Sequence, residues 1–476
     1  MGKVISKNYL YSALYQILTI AAPLVTIPYV SRIFGAENLG VYSYTSTIAH
    51  YFLIFAMLGL STYGSRTIAM NRSDKTKLAS SFWEIYFMQV ITSVASLMAY
   101  LCFTPFFFKE YYSLALILTI YVASSLTDIS WFFHGLEKFG LTVFGNSLIK
   151  LASIACIFIF VHSPNDLWVY LLIHSVSTFF ASSVLWIYLF KTISFVKPRF
   201  KNVLKHFKPN IILFIPVVAV SIYKYMDKIM LGWYSKTETG YYENAEKLIT
   251  LVAGFITSFG TVMLPKVSKL AAIGDKKSIQ ESINDSMPFV IGLSCAFAFG
   301  LSSIASIFVP IYFGDGFDAC IPIICCLSFT LLFTSWSNVI RMQFLIPMKK
   351  DKIYLIAEFL GAILNLVFNL IFIRMFGAMG AVIGTIVAES TVTIYQTIMV
   401  RKEVRISTII LRCLPFFAIG FFMLFKVQAV LTLSSNSISS LIKAIFVGAF
   451  EYLLLWYLYN KSLKKRKANP DLILHN

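Results

Sequence analysis

Gly35-Ala36-Glu37-Asn38-Leu39-Gly40-Val41-Tyr42 is echoed later in the chain by Thr237-Glu238-Thr239-Gly240-Tyr241-Tyr242-Glu243-Asn244, where the glycine and the tyrosine recur 200 residues on. A second echo follows: Ser73-Asp74-Lys75 returns as Gly274-Asp275-Lys276, at an offset of 201. Echoes at nearly one spacing indicate an internal duplication. Outward from them run apolar stretches long enough to cross a bilayer as helices, near 10–31, 41–64, 82–107, 112–134, 141–162 and 167–190. Eight more lie near 210–232, 243–265, 288–313, 320–346, 353–376, 378–400, 408–432 and 439–460. Six spans per copy keep both copies in one orientation. The expected fold is therefore an all-α polytopic membrane protein of about 14 transmembrane helices. It should contain two six-helix bundles related by a pseudo-twofold along the membrane normal, plus a C-terminal helical hairpin.

Composition agrees. Of 476 residues, 58% are hydrophobic and 13% charged, against about 25% charged in soluble domains. That excludes an ordinary soluble enzyme. Barrel strands would show ten-residue alternation, which is absent, so helices are the spanning elements. The net charge of +18 raises the question of nucleic acid, but the basic residues follow the loops. With the N-terminus inside, 30 Lys and Arg fall on cytoplasmic segments and five (Arg32, Lys109, Lys236, Arg374, Lys426) on the other side. Both termini are expected in the cytoplasm, with no nucleic-acid partner. No small-residue cleavage site follows the first apolar run, so that span is expected to stay as an anchor. The division reads as a bundle over 1–190, a basic cytoplasmic linker over 191–209, a second bundle over 210–400, and a hairpin with a basic tail over 401–476.

Several chemistries drop out. Seven cysteines form no CxxC pair, and six histidines never stand at ligand spacing, so neither a disulfide framework nor a metal site is expected. The one Gly-Lys dipeptide, Gly2-Lys3, makes no phosphate-cradling loop. No HExxH or GxSxG occurs, and no covalently bound cofactor is expected. Asp315 and Asp318 flank glycine in a plain polar turn.

The informative signal is the ionisable residue at membrane depth, which costs several kcal/mol unless it meets a polar cavity or a partner. Lys224, Asp227 and Lys228 share one helical face. Asn146 and Lys150 share another, as do Ser124 and Asp128, and Lys150 with Asp128 could form a simple bridge. Thr334, Ser337, Asn338 and Arg341 form a polar stripe, followed by Glu358, Asn365 and Asn369. Interhelical hydrogen bonding is the plainer alternative for the stripes. Lys247 stands one turn after Glu243, as a local ion pair would. Glu451 reads as helix packing, and Gly377, Gly380 and Gly384 as small-residue helix contact. Pro23, Pro28 and Pro216 are expected to kink or break their helices.

On three blocks the chain resembles the O-antigen and capsule repeat-unit flippases, the polysaccharide transporters of the multidrug/oligosaccharidyl-lipid/polysaccharide exporter superfamily. The blocks are Pro28-Tyr29-Val30-Ser31-Arg32-Ile33-Phe34-Gly35 with Gly40 and Tyr42, Asp227-Lys228-Ile229-Met230-Leu231-Gly232 with Gly240-Tyr241-Tyr242, and Asn365 and Asn369 followed by Gly377-Ala378-Met379-Gly380-Ala381. The resemblance implies a non-enzymatic secondary transporter in the bacterial cytoplasmic membrane. It would flip an undecaprenyl-pyrophosphate-linked oligosaccharide by alternating access, coupled to a sodium or proton gradient. Implied partners are the lipid-linked oligosaccharide, membrane lipids, a polysaccharide polymerase and a chain-length regulator. Arg32 matches the arginine before the glycine in related flippases of lipid-linked peptidoglycan precursor, whose cationic cavity meets the pyrophosphate. By helical position, the candidates for substrate contact are Arg32, Lys150, Lys224, Lys228, Lys247 and Arg341, and those for coupling or gating are Asp128, Asp227 and Glu358. The rivals are a cation-coupled multidrug antiporter, whose cavity should be negative, and a membrane polymerase or glycosyltransferase, which needs a larger outer loop than this chain has.

Overall fold

The computed structural model describes residues 2–432 and 437–468, with side chains from Ala21 onward except those of Phe139, Phe144, Tyr223 and 463–468. The tail beyond 468 and the side chains of Lys3, Lys7, Lys464, Lys465, Arg466 and Lys467 thus lie outside the described residues. The helices are α1 (Gly2–Met57), α2 (Leu60–Asn71), α3 (Lys75–Phe107), α4 (Tyr112–Ala123), α5 (Ser130–Gly135), α6 (Phe139–Phe160), α7 (Leu167–Ser183), α8 (Leu185–Leu189), α9 (Phe200–Tyr234) and α10 (Lys236–Ala272). They continue as α11 (Lys276–Phe313), α12 (Cys320–Ser328), α13 (Thr330–Ile340), α14 (Asp351–Phe376), α15 (Ala378–Val400), α16 (Ile406–Thr432) and α17 (Ile438–Ala468). Among the described residues there is no strand, and the fold is all-α.

Among the described residues, thirteen segments are long and apolar enough to cross a membrane. The first, Ala21–Asn71, has 51 residues, roughly 75 Å of helix at 1.5 Å per residue and more than twice the hydrocarbon thickness. The backbone shows where it divides. Gly35 has φ 66° and ψ 178° inside α1, a conformation open to glycine and strained for other residues. Two crossings there give the expected fourteen. A second break falls 200 residues later, at the extended Ser235 (φ −157°, ψ 127°) between α9 and α10. The prolines do not break their helices: Pro23, Pro28 and Pro216 all lie within continuous helix. A missing N–H is tolerated in a membrane helix where neighbours satisfy the freed carbonyl. The basic linker is also shorter than it reads, since α9 is helical from Phe200.

The second echo marks a pair of matching helix starts. Asp74 caps α3 by accepting from Thr76 N at 3.0 Å and Lys77 N at 3.1 Å. Asp275 caps α11 by accepting from Ser278 N at 3.0 Å and Ser278 Oγ at 2.6 Å. Both lie outside the spans. The Lys77 N–H holds the Asp74 carboxyl below the usual carboxylate range, and the Ser278 hydroxyl does the same for Asp275. A depressed folded pKa contributes stability above the unfolded value of about 4, lost as pH falls through the folded one. An Asp74→Ala, Asp275→Ala double variant is expected to unfold at lower temperature than wild type at pH 7, with the gap narrowing below about pH 4. A gap of constant size from pH 3 to 7 would contradict this.

The chain forms two compact units, Met1–Gly240 and Tyr241–Asn476. The first has an aromatic core of Phe82, Trp83, Trp131, Phe132 and Phe133 with Leu60 and Ile68, so that α2, α3 and α5 close on each other. In the second, α11 is the central post, packed by α12, α13, α16 and α17. Phe299 of α11 fits against Gly420 of α16, and Tyr452 of α17 donates its hydroxyl to Gly292 O at 2.6 Å.

Candidate functional site

The fourth span of the first unit is broken between α4 and α5, and its exposed backbone is bound by side chains from elsewhere. Gln89 of α3, fully buried, donates from Nε2 to Ser125 O at 2.6 Å and Asp128 O at 2.8 Å, while its Oε1 accepts from Trp131 Nε1 at 3.0 Å. Trp186 Nε1 donates to Thr127 O at 2.9 Å. The Asp128 carboxylate accepts from Ser130 N at 2.9 Å, at the start of α5. Among the described ion pairs none joins Asp128 to Lys150, which stands half-buried on α6.

Above that break runs a tier of rings and imidazoles on α1, α4, α7 and α9. His50 Nδ1 is 2.7 Å from the Tyr121 hydroxyl, and Tyr121 stacks on His174 with centroids 5.3 Å apart. Tyr42 meets His174 and Tyr170 at 6.0 and 5.0 Å. On the other flank, His50 packs edge-on to Tyr225 at 4.8 Å. Lys228 Nζ lies 5.8 Å over that ring and interacts electrostatically with His50. Tyr51 donates to Ser221 O at 2.9 Å and interacts with Asp227. The expected triad is thus divided: Asp227 is buried, Lys228 is half-buried in the tier, and Lys224 is exposed. Arg32 is exposed beside the Gly35 break, 18 residues before His50 in the chain.

At the end of this unit two glycines meet backbone reciprocally. A Cβ on Gly40 would lie 1.6 Å from Lys236 O, and one on Gly240 would lie 1.8 Å from Ala36 O. The helix segments after the two breaks therefore cross with main chain against main chain. Tyr44 packs there, with Lys236 Nζ 3.5 Å over its ring.

In the second unit, Lys247 pairs with Glu243 at 2.9 Å, as the one-turn spacing suggests. Tyr242, the recurring tyrosine, shares a hydrogen bond with Thr385 Oγ1 at 2.9 Å. Arg341 opens a π-helical turn, Arg341–Leu345, a local unwinding often found where a side chain must be re-aimed. Its guanidinium sits 5.3 Å over the Tyr354 ring and hydrogen-bonds that side chain, which also interacts with Glu358 one turn along. The structure so links two predicted residues, Arg341 and Glu358, through a tyrosine that was not predicted. Asn365 and Asn369 are buried and joined at 3.1 Å, and Gly384 passes so close that a Cβ would lie 2.1 Å from Asn369 Oδ1. Glu451 accepts from Lys426 at 2.9 Å within the last hairpin. No cluster of metal-ligating side chains occurs among the described residues.

Sequence reasoning passed over Gln89 and the His50, Tyr121 and His174 tier. Gln89 carries no charge and reads as one polar residue in an apolar run. The tier draws on four helices far apart in sequence, so no spacing rule reveals it.

Residues 5–271 match a family described as polysaccharide biosynthesis protein. A candidate O-antigen transporter from Escherichia coli (strain K12) is 26% identical over 368 residues, covering 75% of this chain and 88% of its own. A second, from Shigella dysenteriae, is 26% identical over 368 residues, covering 76% and 91%. Among solved structures, the lipid II flippase MurJ in an inward closed conformation superposes with a TM-score of 0.76 at 16% identity, over 96% of this chain and 99% of that one. A multidrug resistance MATE family transporter of the MOP superfamily, in an inward-facing conformation, superposes with a TM-score of 0.51 at 14% identity, over 80% and 95%. At such identities the likeness speaks for the fold.

Proposed function

The chain belongs to the polysaccharide biosynthesis protein family, and from that premise we propose that it is a flippase for a lipid-linked oligosaccharide. The cargo is an undecaprenyl-pyrophosphate-linked repeat unit, carried from the cytoplasmic to the outer leaflet of the bacterial cytoplasmic membrane by alternating access. One observation carries this reading: each unit holds a cation against an aromatic ring, Lys228 over Tyr225 and Arg341 over Tyr354. Such cations offset the desolvation of a diphosphate, the arginine by its planar fork and the lysine as a point charge. The tyrosine and histidine faces of the first unit suit the carbohydrate. A sodium or proton gradient drives the cycle, with Asp128, Asp227 and Glu358 as the carboxylates available to it. Both termini lie in the cytoplasm by the distribution of basic residues, and a polymerase and chain-length regulator receive the product.

Cells lacking the protein are expected to accumulate lipid-linked oligosaccharide accessible only from the cytoplasmic leaflet. Wild type restores export. Arg341→Glu, which places a second acid beside Glu358, is expected to cut export at least about tenfold, equivalent to ~1.4 kcal/mol, while Arg341→Lys keeps part of it. Full export by a folded Arg341→Glu protein would refute the proposal.

A further inference from the structure

The second unit contains a cleft of about 300 Å³ that the proposed transport does not use. One wall is a face of α10, with Phe259, Met263 and Lys266 at helical spacing; the other is a face of α11, with Ser282, Asp285 and Phe289. The floor is organised from behind. Gln343, fully buried in the π-helical turn, accepts at Oε1 from Ser282 Oγ at 3.0 Å and from Ser286 Oγ at 2.9 Å, leaving its Nε2 without a hydrogen-bond partner among the described residues.

Polarity falls in one direction along both walls. Lys266, Ser282 and Asp285 lie towards the 273–275 turn that joins the helices. Phe259 and Phe289, with ring centroids 5.5 Å apart, lie deeper. Lys266, Asp285 and Phe289 are all exposed, so the cleft opens outward. Lysine and aspartate face the same space from opposite walls, yet no described ion pair joins them. A guest that satisfies both must itself carry an anion and a cation on a short link, with an apolar portion running towards the phenylalanines.

We infer that this cleft is a binding site for a phospholipid whose headgroup carries a primary ammonium, of the phosphatidylethanolamine type. The phosphate meets Lys266, the ammonium donates to the Asp285 carboxylate, and the first acyl carbons lie on Phe259, Met263 and Phe289. Basic pockets between membrane helices hold lipid headgroups by the same physics. The acid adds discrimination: a primary ammonium donates charge-assisted hydrogen bonds to Asp285, and a trimethylammonium cannot.

The test is retention of lipid by the full chain, measured by native mass spectrometry in vesicle-matched detergent and independent of any transport. Phosphatidylethanolamine is expected to bind about tenfold more tightly than phosphatidylcholine or phosphatidylglycerol with the same chains. Asp285→Asn, at an exposed position, should bring the first preference to about one, and Lys266→Gln should weaken all three lipids. Soluble phosphoethanolamine should not displace the lipid, because the apolar half of the contact is missing. Equal binding of the three lipids to wild type would overturn the inference with no variant needed. So would displacement by undecaprenyl pyrophosphate, which would make the cleft part of the cargo path.

Discussion

Gly40→Ala is expected to leave export below about a tenth of wild type and to lower the unfolding temperature. The added Cβ would stand 1.6 Å from Lys236 O and 2.5 Å from its carbonyl carbon. These are backbone atoms, and they cannot rotate out of the way as the end of a side chain can. Gly240→Ala meets the same obstacle from the other side, 1.8 Å from Ala36 O. Overpacking of a well-packed contact typically costs about 1–3 kcal/mol, and here both helices must move apart along their whole crossing. Each variant should therefore act alone, and the pair should be less than additive because the first displacement makes room for the second. Gly254→Ala is the control: nothing lies within 4 Å of its Cβ position. If Gly40→Ala behaved like Gly254→Ala in export and unfolding, the close crossing would not exist in the working protein.

Gln89→Leu is expected to destabilise the first unit by about 2–4 kcal/mol, seen as a fall in unfolding temperature and in the yield of folded protein. The substitution keeps the volume and removes three hydrogen bonds at once. It leaves Ser125 O, Asp128 O and Trp131 Nε1 to find other partners at a break in a membrane helix, where water is scarce and an unpaired backbone group is costly. Gln89→Glu separates geometry from charge: it retains an acceptor for Trp131 but, ionised, loses both donors. It should lie nearer to leucine than to wild type. A Gln89→Leu protein within about 0.5 kcal/mol of wild type would mean that the break is held by Trp186 and the Asp128–Ser130 hydrogen bond alone.

The helices were legible because lipid imposes a length and a polarity on anything that crosses it. The two echoes were legible because they fall at the joints: Gly40 and Gly240 at the crossing, Asp74 and Asp275 at helix starts. What could not be read were partners distant in sequence. Gln89 reaches carbonyls 36 and 39 residues away, and Arg341 rests on Tyr354 of the next helix. In water proline ends a helix, while here Pro23, Pro28 and Pro216 are carried through without a break, and the breaks fall to a glycine at positive φ and to an unremarked serine. Among the candidate residues, charge alone marked Lys224, Asp227 and Lys228 as equals. Burial separates them into an exposed lysine, a hidden acid and one cation set among rings.

The crossing after the two breaks has reciprocal geometry. Position 40 fills its gap with the main chain of 236, and position 240 does so with that of 36. Position 40 thus meets the copy of position 36, and position 36 the copy of position 40, as residues do across an isologous dimer. A gene of half this length would have needed a single glycine to make the same contact with a second molecule of its own product.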